Sequence, residues 1–246
     1  MSERHTGTAV IIGAGPGLGM SMAHRLGREG HPIALVSRTG SRHAAYLAEL
    51  ADAGVTASSF PVDVRDPERL RDTLTAIAAW QGPVDVLYYG PGAVDDPNTM
   101  PRPITETSGA DVNETMKLVL PAVDAVQAVL PGMRERRSGT LLFAGGMSSV
   151  VPLPPLGAHA LAAAALRNYA LTLNAALTPD GVYAGTLTIG GVIDRGDIHR
   201  HITADPARYG DLAAQTLNPD DIANEAWLMT TKRDRAETVF TLTPTT

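Results

Sequence analysis

Thr8-Ala-Val-Ile-Ile-Gly13-Ala-Gly15-Pro-Gly17-Leu-Gly19 decides how the rest of this chain is read. Ala9 to Ile12 is an unbroken apolar run, the pattern of a strand buried on both faces of a parallel sheet. It runs into four glycines at alternate positions, and a helix-compatible segment, Met20 to Glu29, follows. A glycine-rich turn between a strand and a helix lets backbone N–H groups approach a phosphate, and the helix N-terminus adds partial positive charge. The spacing is not G-x-G-x-x-G, because Leu18 stands where the third glycine would be. It is G-x-x-x-G-x-G, on Gly13, Gly17 and Gly19.

Beyond the turn the chain keeps alternating. Strands are predicted at Pro32–Ser37, Val55–Val62, Val84–Tyr89, Thr140–Ala144, Gly181–Ile189 and Thr238–Leu242, with Gly145-Gly146 breaking the fifth of the chain. Helices are predicted at Ser41–Ala53 with Ser41 as N-cap, from Asp66-Pro67 to Trp80, and over Ser108–Arg137 with Pro121 and Pro131 dividing it. Two more span Ala158–Leu177 and Asn218–Thr231. Proline-rich loops cover Asp95–Pro103 and Val150–Pro155. Asp194–Gly210 lacks clear periodicity and is expected to be a mobile substrate loop. Its His199 and His201, beside Asp194 and Asp197, are taken as a solvated charged segment with no metal. Strands alternating with helices imply right-handed βαβ units and one α/β domain over 1–246. Its doubly wound parallel sheet has six to seven strands and helices on both faces. Ligands bind such sheets at the carboxyl ends of the strands, at the switch point.

At 246 residues the chain can bury a large core. Its net charge of −6 argues against nucleic acid as a partner. It has no cysteine, which excludes thiol nucleophiles and suits the cytoplasm. The polar start is followed by too short an apolar run for a signal peptide, and no segment is expected to reach the length of a membrane span.

The loop after the second strand reads Ser37-Arg38-Thr39. An acidic residue about 20 positions past the glycines would take a ribose 2′-hydroxyl and favour NAD. Arg38 stands there instead. Its guanidinium can pair with a 2′-phosphate while Ser37 and Thr39 donate to it, so NADP is the expected cofactor. Asp63, with Val64 behind it, can accept from an adenine amino group after strand three. Tyr88 and Tyr89 end strand four. They are read first as packing, and as able to stack on a ribose or give a proton.

This order of motifs resembles the short-chain dehydrogenase/reductase family over nearly the whole chain, on Gly13-x-x-x-Gly17-x-Gly19, Arg38, Asp63-Val64, Asn113 and Asn218-Pro-Asp-Asp-Ile-Ala. The resemblance implies a Rossmann-type fold, a nicotinamide dinucleotide, a small carbonyl or alcohol substrate, and homodimers or homotetramers built on the two long helices. The candidate cofactor contacts are Gly13, Gly15, Gly17, Leu18 and Gly19; Ser37, Arg38 and Thr39; Asp63 and Val64; Tyr89 and Gly90; Val192 and Ile193. The family's active site joins Asn, Ser and Tyr-x-x-x-Lys. Here its Tyr falls on His159, its Lys on Ala163 and its Ser on Gly146. Only Asn113 matches. The turn Tyr89-Gly90-Pro91-Gly92 and the pair Gly190-Gly191 also depart from the family's pattern. An imidazole can exchange a proton near neutral pH, so His159 and Asn113 are the candidate catalytic residues. Ser148 and Ser149, or the Gly146 N–H, are candidate replacements for the missing Ser. The reading is an NADP(H)-dependent oxidoreductase with an atypical active site. Two others stand beside it: a non-catalytic NADP-binding sensor or partner subunit, and a non-redox cyclase, isomerase or lyase.

Overall fold

The computed structural model describes residues 6–92, 101–205, 207 and 216–242. In chain order the elements are β1 (Thr8–Ile12), α1 (Leu18–Arg28), β2 (Ile33–Ser37), α2 (His43–Asp52), β3 (Ala57–Pro61), α3 (Pro67–Gln81) and β4 (Val84–Tyr89). Then come α4 (Gly109–Met116), α5 (Leu120–Glu135), β5 (Gly139–Gly146), α6 (Ala158–Leu177), β6 (Val182–Gly190), β7 (Val192–Ile193) and α7 (Asp197–Ala204). β8 (Thr216–Leu217), α8 (Pro219–Lys232) and β9 (Glu237–Thr241) close the described chain.

Among the described residues seven strands form one sheet, in the order β3-β2-β1-β4-β5-β6-β9. Every pairing is parallel. The chain leaves the edge at β3 and re-enters beside β1, so the switch point lies between β1 and β4. Ile12 is level with Val36 on one side and Tyr89 on the other. The turns after β1 and β4 therefore meet at one edge, where the Gly90 N–H donates to the Ile12 carbonyl at 2.9 Å.

Both faces of the sheet are covered, as the apolar runs require. Val10, Ile12, Val36 and Phe143 pack under α3, α5 and α6 with Leu70, Leu74, Val126 and Ala170. Ile11, Leu35 and Tyr88 pack under α1, α2 and α8 with Leu26, Leu50 and Met229. Each of these large side chains contributes about 1.5–3 kcal/mol by leaving water.

Local capping chemistry sets several boundaries. Asp66 accepts from the Arg69 N–H at 3.1 Å and Pro67 opens α3. Ser108 and Asp111 form a reciprocal capping box at α4. Asn218 caps α8 through the Asp220 N–H.

Four expectations are corrected. Ser41 does not cap α2; Arg42 occupies that position without a side-chain cap, because Ser41 Oγ is drawn to Thr39 Oγ1 at 3.3 Å. Gly145 and Gly146 do not break β5, since β6 is long enough to pair with both, through Thr188 and Ile189. Asp194–Gly210 contains the helix α7, capped by Gly196 and seated through buried Ile202; residues 206 and 208–210 lie outside the described residues, as do 95–100 of the first proline-rich loop. The helical stretch Gly109–Glu135 does reach the length and apolar character of a membrane crossing. Its apolar side chains serve the core instead, with Ala122, Val126 and Val129 buried against the sheet. The expected division of that stretch falls at residues 117–119, just before Pro121, while Pro131 lies inside α5 without ending it.

Candidate active site

The glycine turn is shaped by backbone contacts. Gly13 has φ +97°, and a Cβ there would lie 2.4 Å from the Gly90 carbonyl oxygen. A Cβ on Gly19 would lie 2.3 Å from the Gly13 oxygen, and one on Gly17 would lie 3.1 Å from the Gly196 Cα. Gly15 differs: the nearest atom to its Cβ position is 3.9 Å away, so that side of the turn is open. α1 starts at Leu18 with no side-chain cap and no acidic residue in its first turn. Its first-turn N–H groups and positive dipole end suit an anion. Leu18 itself is buried.

At the end of β2, Ser37 is already engaged. Its hydroxyl donates to the Thr39 carbonyl at 3.0 Å, and His43 Nε2 lies 2.6 Å from the same oxygen. With the hydroxyl proton on Thr39, His43 Nε2–H is the donor and Ser37 Oγ accepts. Ser37 is therefore not the open phosphate donor expected from the sequence. His43 is buried, which pushes its pKa below the ordinary 6.5, and its Nδ1 finds no hydrogen-bond partner among the described residues. Arg38 and Thr39 are exposed at the rim. Asp63 is gripped by Arg65, with Nε and Nη2 at 3.0 and 2.7 Å and the backbone N–H at 3.0 Å. Arg65, and the more distant charge of Arg38, hold its carboxyl below the usual range. Val64 turns inward against the core.

The two tyrosines of β4 face opposite sides of the sheet. The Tyr89 ring is buried and its hydroxyl donates to the Leu118 carbonyl at 2.7 Å, satisfying the turn between α4 and α5. Its side chain is thus structural, and neither stacks in nor donates a proton to the cleft. The Tyr88 ring runs along Gly90, where a Cβ would meet its hydroxyl at 2.2 Å. Burial raises both phenols well above their ordinary pKa, so both stay protonated at neutral pH.

On the catalytic side, a Cβ on Gly146 would lie 3.6 Å from Ser148 Oγ, so the Ser148 hydroxyl stands close to the volume a side chain at 146 would enter. Ser149 donates to the Gly146 carbonyl at 2.8 Å. Gly157 caps α6 at φ +46°, packed so tightly on the Arg102 carbonyl that the approach to α4 is seated on the start of α6. His159 follows, half-buried in the first turn of α6. Asn113 is exposed on α4, which packs against α6. Ala163 lies one turn beyond His159, and Arg167 a turn further on the same face. Arg167 is committed elsewhere: its Nε and Nη2 bind Glu237 at 2.7 and 2.5 Å, and Thr188 donates to the same carboxylate at 2.6 Å. The surrounding rim is apolar, with Ile104, Val150, Val151 and Leu153 exposed.

Sequence reasoning missed the strap 194–197. Val192 and Ile193 form a short parallel ladder with β8, and the chain then lies across the glycine turn, with the Asp194 oxygen and Gly196 backbone against Gly17. Arg195, at φ +63°, reaches Ser21 Oγ at 3.1 Å and Asp220 at 2.8 Å. Asp197 receives both its bonds from Arg42 Nη1, at 2.9 and 2.8 Å. No local periodicity reports contacts between segments so far apart; the only signal was the charge density already noted in Asp194–Gly210.

A family model described as short chain dehydrogenase matches residues 7–205, so the chain belongs to that family of oxidoreductases. A very-long-chain 3-oxoacyl-CoA reductase of Aspergillus clavatus is 30% identical over 178 residues, covering 71% of this chain and 50% of its own length. A putative ketoacyl reductase of Streptomyces coelicolor is 30% identical over 167 residues, 64% of this chain and 61% of its own. The chain thus spans about half the length of the first of these relatives. Among solved structures, an NADP-bound 3-oxoacyl (acyl-carrier-protein) reductase of Agrobacterium tumefaciens superposes with a TM-score of 0.81 at 21% identity, covering 95% of this chain and 92% of that one.

Proposed function

We propose that this chain is an NADP(H)-dependent reductase of a small carbonyl, or dehydrogenase of the matching alcohol, with His159 as its proton donor and acceptor. The observation that carries the reading is the cradle at the switch point. Gly13, Gly17 and Gly19 are forced by backbone contacts, Gly15 is left open, and α1 presents an uncapped N-terminus with no acid in its first turn. These residues fit a dinucleotide pyrophosphate. Arg38 at the rim of β2 fits a 2′-phosphate. When bound, the dinucleotide supplies hydride exchange. The chain's own residues then orient the carbonyl and handle its proton. His159 gives or takes the proton at the substrate oxygen, and the Ser148 hydroxyl donates to that same oxygen from beside Gly146. The exposed aliphatic rim favours a substrate with an apolar flank. The two relatives named as reductases of oxoacyl compounds support a carbonyl substrate. Exposed Leu120 and Leu161, on the two long helices, suit assembly as a homodimer or homotetramer.

Titration of nicotinamide fluorescence with NADPH and NADH tests the cofactor half. Tight NADPH binding that Arg38→Ala weakens supports it; no binding of either nucleotide overturns it. A carbonyl panel with wild type, His159→Ala and His159→Tyr tests the catalytic half. The commitment of Arg167 to Glu237 favours a second reading, a protein that binds NADP and turns nothing over. Binding without turnover on any carbonyl would support that one.

A further inference from the structure

Arg42 lies in the same connection as Arg38 and opens α2, at the adenosine end of the cleft. The residue it holds comes from 155 positions away along the chain. Asp197 is delivered there by the strap, which packs on Gly17 and is pinned to α1 and α8 by Arg195. A carboxylate is thus stationed beside the rim that Arg38 shares.

We propose that Arg42 is a second cation of the 2′-phosphate subsite, that Asp197 holds it until the phosphate arrives, and that this exchange sets the preference between NADPH and NADH. The inference rests on the reading of the glycine turn and Arg38 as a dinucleotide site. Three features carry it. Arg42 and Asp197 are 48% and 56% exposed, so their pair is a weak surface ion pair that a phosphate dianion can outbid. Asp197 is also bound by Arg200, one turn along α7, so losing Arg42 leaves no uncompensated carboxylate. The Arg42 guanidinium also lies beside the Tyr46 hydroxyl, a fixed neighbour that keeps it near the rim when Asp197 lets go. NADH has no 2′-phosphate and cannot drive the exchange. Binding of NADPH therefore releases the first turn of α7 from α2, while binding of NADH leaves it attached.

The test measures dissociation constants for NADPH, NADH, 2′,5′-ADP and 5′-AMP; the last two report on the adenosine half without any turnover. Arg42→Gln is expected to weaken NADPH and 2′,5′-ADP roughly 10-fold or more, the range for loss of a charge-assisted bond, with NADH and 5′-AMP within about 2-fold. Arg42→Lys should recover part of that loss. Asp197→Asn is expected to tighten NADPH roughly 2–5-fold, the scale of a surface ion pair, and to have no such effect when combined with Arg42→Gln. Equal changes for both nucleotides would overturn the proposal and make the pair a plain clamp on the strap. No change in any variant, with wild-type NADPH binding intact, would also overturn it and leave the cofactor reading standing. Wild type that binds neither nucleotide would sink both.

Discussion

Around β1, α1 and β4 the cleft is built by main chain: Gly13 against Gly90, Gly19 against Gly13 and Gly17 against Gly196, each too close for a side chain to be added without movement. Around β5 and α6 the corresponding positions leave room. Gly145 has nothing within 4 Å of its Cβ position, and Gly146 meets only Ser148 Oγ at 3.6 Å. The first region cannot change its residues and keep its geometry. The second can exchange side chains while the strand and helix stay in place, and it holds Gly146, His159 and Ala163 where the family has Ser, Tyr and Lys. A short-chain dehydrogenase can therefore alter its proton chemistry far more easily than its nucleotide cradle.

The hardest blow to this contrast would come from Gly13→Ala. Its left-handed φ alone should cost about 1–3 kcal/mol, and the contact with Gly90 adds to that. Thermal denaturation should show a clear loss of stability, and dinucleotide titration a loss of binding. Gly146→Ala, the matched change on the other side, should leave both nearly unaltered. If the two variants behaved alike, the contrast would be wrong. His159→Ala comes next. Loss of a positioned acid or base lowers turnover by ~10²–10⁴ and spares NADPH affinity. A fall in affinity of similar size would mean His159 belongs to the cradle.

Asp66→Ala removes the cap of α3, remote from either region. It should lower stability by about 1 kcal/mol with no effect on nucleotide binding, which calibrates how far purely structural damage travels. The smallest effect concerns pH. Burial holds the His43 pKa below the ordinary 6.5. As the medium falls below that value, the unfolded chain takes up a proton that folded His43 resists, so the stability contributed by neutral His43 is present above it and declines toward acid. Comparing melting temperatures at neutral and mildly acidic pH should show this decline, and His43→Gln should flatten it.

The sheet was legible because its signals are local. Four apolar residues before Gly13, Asp66-Pro67 before α3 and Asn218-Pro219 before α8 each name a boundary by steric or hydrogen-bonding rules that act within a few residues. α6 matched its expected bounds, being an almost unbroken run of Ala and Leu. The failures are equally physical. Gly145-Gly146 looked like a stop, but pairing with β6 supplied partners the local sequence could not show. Ser37 looked like a donor until buried His43 claimed it. Tyr89 looked available until the Leu118 carbonyl, left open where α4 meets α5, took its hydroxyl. Arg167 was invisible as a misplaced cation because its partner Glu237 lies on the last strand. Each miss is a contact between distant segments.

The short ladder of Val192–Ile193 with Thr216–Leu217 has an evolutionary consequence. The chain departs from one rung and returns to the same rung, with the Asp194 N–H donating back to the Leu217 carbonyl at 3.0 Å. An excursion closed at its base behaves as an interchangeable cassette. Doubling the length of a flexible loop adds only about 0.6 kcal/mol of closure entropy. Descendants of this chain can lengthen, shorten or rewrite what lies between those rungs, and so redraw the mouth of the cleft, without renegotiating the frame that holds the nucleotide.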